Sequence, residues 1–204
     1  MTASSDPDLA RFPEMAPDIQ SVLISAAALQ NRVAELGRTL SADYAGRDPL
    51  VLGVLKGVTL FLADLLRAIS IPLEVDFLAV SNYSPEARNR GPAPRDSAGF
   101  VRLEKDLGTP ITGRHVLFVE DVVDTGLTLN YLLSTLRARQ PASLEVCALF
   151  NKPFHRLIDV PLKYTGFDLP DRFVVGYGLD FHEKYRNLPC VCLLKPEVMR
   201  KLPG

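Results

Sequence analysis

The sequence has few cysteines, almost no net charge and no long hydrophobic run, and each absence excludes a class of protein. Only three of the 204 residues are cysteine, and their spacing, with a single C-x-C, fits neither a disulfide framework nor a zinc site. A formal net charge of -1 argues against nucleic acid as the main partner. No apolar run approaches the ~20 residues of a membrane span, and the N-terminus lacks a signal pattern. We therefore expect a cytoplasmic protein without a membrane partner.

Common nucleotide-binding and metal-binding motifs are also missing. The sequence contains no Gly-x4-Gly-Lys-Ser/Thr loop, which argues against a P-loop kinase. Gly176 and Gly178 lack the third glycine of a dinucleotide-binding fingerprint. The three histidines are too scattered along the chain to indicate a metal cluster.

Short apolar runs alternate with segments of helical periodicity, a pattern typical of a mostly parallel α/β sheet flanked by helices. We expect a loose tail over residues 1–18 and a single domain over residues 19–204. Helices are predicted within 19–44, with Ser25 as N-cap, and over 60–69 and 129–137. Strands are predicted at 51–55, 72–80, 100–103, 116–119, 144–150, 172–179 and 191–194. Such a sheet binds its ligand beyond the carboxyl ends of the strands.

One stretch combines acids, hydroxyls and a glycine at such a strand end. Glu120 and Asp121 follow the apolar run 116–119, and the segment from Asp124 to Thr128 leads into a predicted helix. Backbone N–H groups at a helix start, together with hydroxyls, suit a phosphate group. Because the acids would repel that phosphate, we expect them to face sugar hydroxyls, a divalent cation or a base that exchanges a proton.

This stretch resembles the phosphoribosyl-diphosphate signature of the type I phosphoribosyltransferases, and most of all the hypoxanthine-guanine branch. The resemblance extends over residues 24–194. It implies a mostly parallel twisted sheet with a small hood lobe formed by the N-terminal and C-terminal parts. It also implies transfer from 5-phosphoribosyl 1-diphosphate to a 6-oxopurine base, Mg²⁺ as cofactor, and a homodimer or homotetramer.

Roles within the central stretch follow from the resemblance and from the residues themselves. We propose Asp124 as the general base at N7 of the purine. Glu120 and Asp121 are expected to hold the ribose hydroxyls, directly or through Mg²⁺. The phosphate is expected to bind at the turn formed by Thr125, Gly126, Leu127 and Thr128.

Other residues receive diphosphate-binding roles by resemblance. The turn of Leu55, Lys56 and Gly57 is expected to hold pyrophosphate, often through a cis peptide at Leu55–Lys56. Tyr83 would lie in a loop, 81–99, that closes over the diphosphate. In that loop Asn82 and Ser84 depart from the usual Ser-Tyr-Gly sequence. Three arginines there (Arg88, Arg90, Arg95) could add charge on closing, but a solvated loop is the favoured interpretation.

The base and metal sites are assigned in the same way. Lys152 is expected to donate to the 6-oxo group, Phe173 to stack on the purine and Val174 to offer backbone groups to its edge. Asp180 would be a magnesium ligand with Glu120 and Asp121, and Arg186 would contact pyrophosphate. From the residues alone, Lys152 fits a solvent-facing lysine, Phe173 a core residue, Asp180 a strand end and Arg186 a surface charge.

The sequence therefore predicts a purine salvage transferase that uses hypoxanthine, guanine or both. The choice among hypoxanthine, guanine and xanthine stays open. An alternative from another class is an RNA-binding regulator of pyrimidine genes on the same scaffold, with weak uracil phosphoribosyltransferase activity. A basic RNA-binding face would distinguish it, and the near-neutral composition gives that reading no support.

Overall fold

The structure is a computed structural model that describes residues 6–83 and 100–200. Its strands are β1 (Ile19–Ile24), β2 (Leu50–Leu55), β3 (Glu74–Tyr83), β4 (Phe100–Lys105), β5 (His115–Val123), β6 (Ser143–Asn151), β7 (Tyr164–Asp168), β8 (Val174–Val175) and β9 (Val191–Leu194). Its α-helices are α1 (Ala26–Asp43), α2 (Thr59–Ala68), α3 (Leu127–Arg137) and α4 (Pro196–Arg200). Two short 3₁₀ helices cover Ala16–Asp18 and Pro153–His155.

The central sheet has the strand order β4-β3-β2-β5-β6-β7. Only the β3–β4 pair is antiparallel among its described pairs. Apolar clusters pack on both faces, one with α1 and α2 and the other with α3. A strand buried on both faces reads as a continuous apolar run, as in the first five residues of β2. The predicted fold class is confirmed.

Helix α1 begins where the sequence predicted a cap. The hydroxyl of Ser25 accepts a hydrogen bond from the backbone N–H of Ala28 at 3.2 Å. Residues 19–24, however, form strand β1 and no part of the helix. No strand was predicted over these residues, because β1 forms by pairing with β9, a contact that local periodicity does not reveal.

Strands β1, β9 and β8 form a second, three-stranded sheet, which we call the hood sheet. Its strands come from both ends of the chain. Residues 6–18 do not form the predicted loose tail, because Leu9 is only 3% exposed and packs in the hood cluster. Asp8 Oδ2 also accepts a 2.8 Å hydrogen bond from the N–H of Ala26.

Four further elements differ from the sequence prediction, two in their bounds and two in their existence. Strand β5 continues past the apolar run to Val123, so Glu120 and Asp121 lie on the strand. Strand β8 has two residues where residues 172–179 were predicted, because the chain turns at Gly176 (φ +98°). Strand β7 and helix α4 were not predicted.

Two further observations concern the cysteines and the helices. All three cysteines are buried and free. Among residues 6–83 and 100–200, no helix is both long and apolar enough to cross a bilayer.

Candidate active site

A cavity of about 270 Å³ lies where β5 and β6 end and the hood sheet begins. Seven of the predicted site residues line it: Asp121, Asp124, Lys152, Phe173, Val174, Asp180 and Arg186. Val122 and Leu179 complete its wall. A larger cavity of about 430 Å³ beside Arg156 contains none of the predicted residues. The structure thus gathers residues that are up to 65 positions apart, from Asp121 to Arg186, at one sheet edge.

The acids of β5 and the following turn are buried acceptors. Glu120 Oε2 and Asp124 Oδ1 have no hydrogen-bond partner among the described residues. Burial raises the pKa of Glu120 well above its ordinary value, and the charge of Asp121 raises it further. Burial also raises the pKa of Asp121 to about 6, although backbone hydrogen bonds and Arg186 act in the opposite direction. Buried acceptors of this kind suit a ligand that brings hydroxyl donors or a cation.

The turn after β2 meets these acids directly. The Leu55–Lys56 peptide is cis, as the resemblance implied. A Cβ on Gly57 would lie 1.9 Å from Asp121 Oδ2, so only glycine leaves room for that carboxylate. A Cβ on Gly178 would lie 2.0 Å from the Gly57 carbonyl oxygen. Two glycines therefore allow the Lys56 turn, β5 and the loop after β8 to converge.

The predicted phosphate turn is held from behind by the loop after β6. Gly126, with φ +82°, is the N-cap of α3, so Asp124 is not the capping residue. The Thr125 carbonyl oxygen accepts hydrogen bonds from the N–H groups of Leu157 (2.9 Å) and Ile158 (3.2 Å), both in the loop after β6. A Cβ on Gly126 would lie 2.5 Å from the Ile158 carbonyl oxygen, which makes glycine necessary there.

Arg156, which the sequence did not single out, forms hydrogen bonds next to the same turn. Its Nη2 donates to the Val123 carbonyl oxygen at 3.5 Å and to Asn151 Oδ1. It also lies close to Gly126, since its Cδ would be 3.3 Å from a Cβ there. No local pattern singles out this arginine from the other basic residues of the chain.

An ammonium group and an aromatic ring lie at the other end of the cavity. Lys152 is only 7% exposed, and its Nζ donates to the Arg172 carbonyl oxygen at 3.0 Å. The reading of Lys152 as a solvent-facing lysine is therefore wrong. Phe173 packs edge-on against Phe181, with ring centroids 5.6 Å apart, and Val174 is buried in β8.

The loop after β8 carries a network of charges. Arg186 Nη2 lies 2.8 Å from Asp180 Oδ1, and its Nη1 donates to the Gly178 carbonyl oxygen at 2.8 Å. Glu183, which the sequence did not single out, lies 3.2 Å from both Lys56 Nζ and Arg186 Nη2. The two cations predicted to bind pyrophosphate are thus joined through one carboxylate.

The predicted closing loop falls mostly outside the described residues. Tyr83 is the last residue of β3 and pairs through its backbone with Phe100. Ser84 and the three arginines predicted to add charge lie in the part of the chain that the structure does not describe.

The acids do not by themselves form a complete metal site. Within residues 6–83 and 100–200, no three His, Cys, Asp or Glu residues are grouped so that they could hold a metal ion. Asp180 is already paired with Arg186. Mg²⁺ commonly uses one or two protein carboxylates together with substrate phosphates, so a complete set of protein ligands is not required.

Comparison with known proteins identifies similar chains along nearly the whole length. The phosphoribosyl transferase domain family matches residues 24–182. A hypoxanthine-guanine phosphoribosyltransferase of Mycobacterium avium is 47% identical over 190 residues, with 90% of each chain covered. A Staphylococcus aureus hypoxanthine phosphoribosyltransferase crystal structure superposes with a TM-score of 0.83 at 42% identity, covering 90% of this chain and 96% of that one.

One relative is much longer. The bifunctional protein TilS/HprT of Listeria innocua is 48% identical over 181 residues, which cover 89% of this chain. The chain spans 27% of the length of that relative.

Proposed function

Since this chain belongs to the hypoxanthine-guanine phosphoribosyltransferase family, we propose that it transfers the phosphoribosyl group of 5-phosphoribosyl 1-diphosphate to hypoxanthine or guanine. The products are the nucleoside monophosphate and pyrophosphate. One observation carries the proposal: a single cavity joins a buried lysine and an aromatic ring to acids beside a helix start. Those are the groups that a 6-oxopurine, a ribose and a phosphate require.

The phosphate end of the substrate binds at the start of α3. Gly126, the N-cap of α3, has no side chain to cap the helix, and the helix dipole favours an anion there. Within the turn, the N–H of Leu127 donates to Thr125 Oγ1 at 3.4 Å. The hydroxyls of Thr125 and Thr128 add donors. Glu120 and Asp121 then hold the ribose hydroxyls, one of which supplies the donor that the buried Oε2 of Glu120 lacks among the described residues.

The base end explains the choice of a 6-oxopurine. Lys152 Nζ can donate to a carbonyl oxygen but cannot accept from an amino group. Phe173 stacks on the purine, and the backbone of Val174 meets its edge. Because the 2-position is left to backbone groups, hypoxanthine and guanine both fit the proposal.

Asp124 removes the proton during transfer. As N9 of the purine bonds to C1 of the ribose, the bond from C1 to the diphosphate oxygen breaks and the purine becomes more acidic. Asp124, within the cavity, accepts the N7 proton as general base. The diphosphate leaves as an anion.

The diphosphate is held by Lys56, the backbone of Leu55 and Gly57, and Arg186. Tyr83 would approach it from the end of β3. Asp180, Glu120 and Asp121 are the residues that would hold Mg²⁺, which would supply positive charge to offset that of the leaving diphosphate. The oxygen ligands present support Mg²⁺, and the substrate would complete its coordination.

The RNA-binding alternative is not favoured, because the relatives carry hypoxanthine-guanine phosphoribosyltransferase names. A homodimer or homotetramer and a cytoplasmic location stay predictions of the sequence. The test is an assay with radiolabelled hypoxanthine, guanine, xanthine and uracil in the presence of Mg²⁺ and phosphoribosyl diphosphate. Product from hypoxanthine or guanine is expected; product from uracil alone would contradict the proposal.

A further inference from the structure

Glu183 bridges the two cations of the candidate diphosphate site. Its Oε2 lies 3.2 Å from Lys56 Nζ, and its Oε1 lies 3.2 Å from Arg186 Nη2. Each carboxylate oxygen thus engages a different cation. The cations come from the turn after β2 and from the loop after β8.

A carboxylate placed in this way occupies donors that a phosphate oxygen would use. Ammonium and guanidinium groups bind carboxylates and phosphates through the same charge-assisted hydrogen bonds. We propose that Glu183 competes with the diphosphate for Lys56 and Arg186. Glu183 must leave these two cations for the substrate to bind, and it returns to them as pyrophosphate leaves. Glu183 thereby weakens binding of phosphoribosyl diphosphate and hastens release of pyrophosphate. The inference rests on the proposed function.

The contacts of Glu183 are weak enough to be exchanged. The side chains of Glu183 and Lys56 are 65% and 71% exposed, and ion pairs this exposed are readily replaced. Arg186 does not depend on Glu183 for its position, because Asp180 and the Gly178 carbonyl oxygen also hold it at 2.8 Å. Displacement of Glu183 therefore frees Lys56 while Arg186 stays in place.

The backbone of Glu183 is fixed although its side chain can move. Its N–H donates to Asp180 Oδ2 at 2.9 Å, and its φ is +62°. Asp180 is thus next to Glu183, and the two negatively charged carboxylates repel each other. Once Lys56 and Arg186 turn to a diphosphate, repulsion from Asp180 and from the ligand favours the outward position of Glu183.

The test measures binding of magnesium pyrophosphate by titration calorimetry to the wild type, to Glu183→Gln and to Glu35→Gln. Glu35 is a matched control, since its exposed carboxylate pairs with Arg32 on α1 and the charge change is the same. We expect Glu183→Gln to bind about 3- to 10-fold more tightly, because exposed ion pairs contribute up to about 1 kcal/mol each. Glu35→Gln should bind as the wild type does.

Kinetics provide a second measurement on the same proteins. The KM for phosphoribosyl diphosphate should fall in Glu183→Gln, and the rate of pyrophosphate release should fall with it. Glu183→Asp keeps the charge on a shorter side chain that cannot reach both cations, so its affinity should lie between those of the wild type and Glu183→Gln. This variant also provides the test if Glu183→Gln does not fold.

The outcomes separate the two proposals. Equal or weaker pyrophosphate binding by Glu183→Gln would overturn the inference and make Glu183 a support for Arg186. If neither the wild type nor the variants bind magnesium pyrophosphate, the proposed function fails and the inference fails with it.

Discussion

Asp121 Oδ2 lies against Gly57, only 1.9 Å from the point that a Cβ on that glycine would occupy. Asp121 lies on β5, and Gly57 lies in the turn after β2. The two strands are parallel neighbours, paired along β2 from Leu50 to Gly53. The contact brings the predicted ribose-binding acid and the predicted diphosphate-binding turn together. Because any side chain at position 57 would meet this carboxylate, the site requires glycine there.

The first prediction follows from this contact. Gly57→Ala should displace either the Lys56 turn or Asp121, because a separation below 3.0 Å cannot persist. We expect binding of phosphoribosyl diphosphate to weaken at least ~10-fold, since charge-assisted hydrogen bonds depend on donor position. Gly108→Ala is the control, as its Cβ would meet only Asp76 Oδ2 at 3.8 Å. Similar binding by both variants would show that the turn adapts without loss.

The second prediction concerns the pH dependence of stability. The pKa of Asp121 rises from 3.8 to about 6 on folding, so between these pH values the native state binds more protons than the unfolded state. Stability due to this group therefore falls as pH rises through that window, and the loss is complete above it. Asp121→Asn, which keeps the shape, should be more stable than the wild type by about 2–3 kcal/mol at pH 8.

Denaturant unfolding at pH 8 and at pH 4 measures this gain. The difference between Asp121→Asn and the wild type should shrink to below about 1 kcal/mol at pH 4, where the folded carboxyl is protonated and the unfolded one is about half protonated. Asp121→Asn should also lose activity, because the amide cannot replace the carboxylate that is proposed to hold the ribose hydroxyls. A gain of the same size at both pH values would point to packing and not to charge.

The layout of the site was predictable from the sequence where local pattern and function coincide. The apolar runs before Glu120 and Lys152 predicted strands that lead into one cavity, and the run before Lys56 predicted a third strand whose following turn contacts Asp121. Ser25 was recognisable as a cap because capping depends on nearby backbone. Such features are encoded within a few residues.

Features that depend on distant contacts were not predictable. Strand β1 exists because it pairs with β9, about 170 residues away in sequence, and its own periodicity gave no sign of this. The bridging role of Glu183 requires a left-handed backbone that places its carboxylate beside Lys56. Gly178 looked like part of a failed dinucleotide motif, whereas its function is close packing on Gly57.

The third prediction concerns the base. Lys152→Gln should lower kcat/KM for hypoxanthine and relax discrimination against adenine, because the amide can accept as well as donate. The measurement is the ratio of kcat/KM for the two bases. Lys163→Gln is the matched control, since Lys163 is an exposed lysine paired with Glu145. An unchanged ratio in Lys152→Gln would remove Lys152 from recognition of the 6-position.

The last prediction concerns Asp124, whose Oδ1 is buried without a partner among the described residues. It does not cap α3, since Gly126 has that position, so its loss should affect the helix little. Asp124→Asn keeps the shape but cannot accept a proton. We expect it to bind phosphoribosyl diphosphate nearly normally and to melt within a few degrees of the wild type, while turnover falls by about 10²–10⁴-fold.

The comparison for Asp124→Asn should use single-turnover rates, because slow product release can conceal a damaged chemical step. Asp159→Asn is the control, since Asp159 lines the larger cavity beside Arg156 and has no part in the proposal. Its single-turnover rate should match that of the wild type. A full rate in Asp124→Asn would exclude Asp124 as the base; a loss of rate matched by an equal loss of substrate binding would make it a binding residue. Only normal binding with slow transfer identifies the proton acceptor.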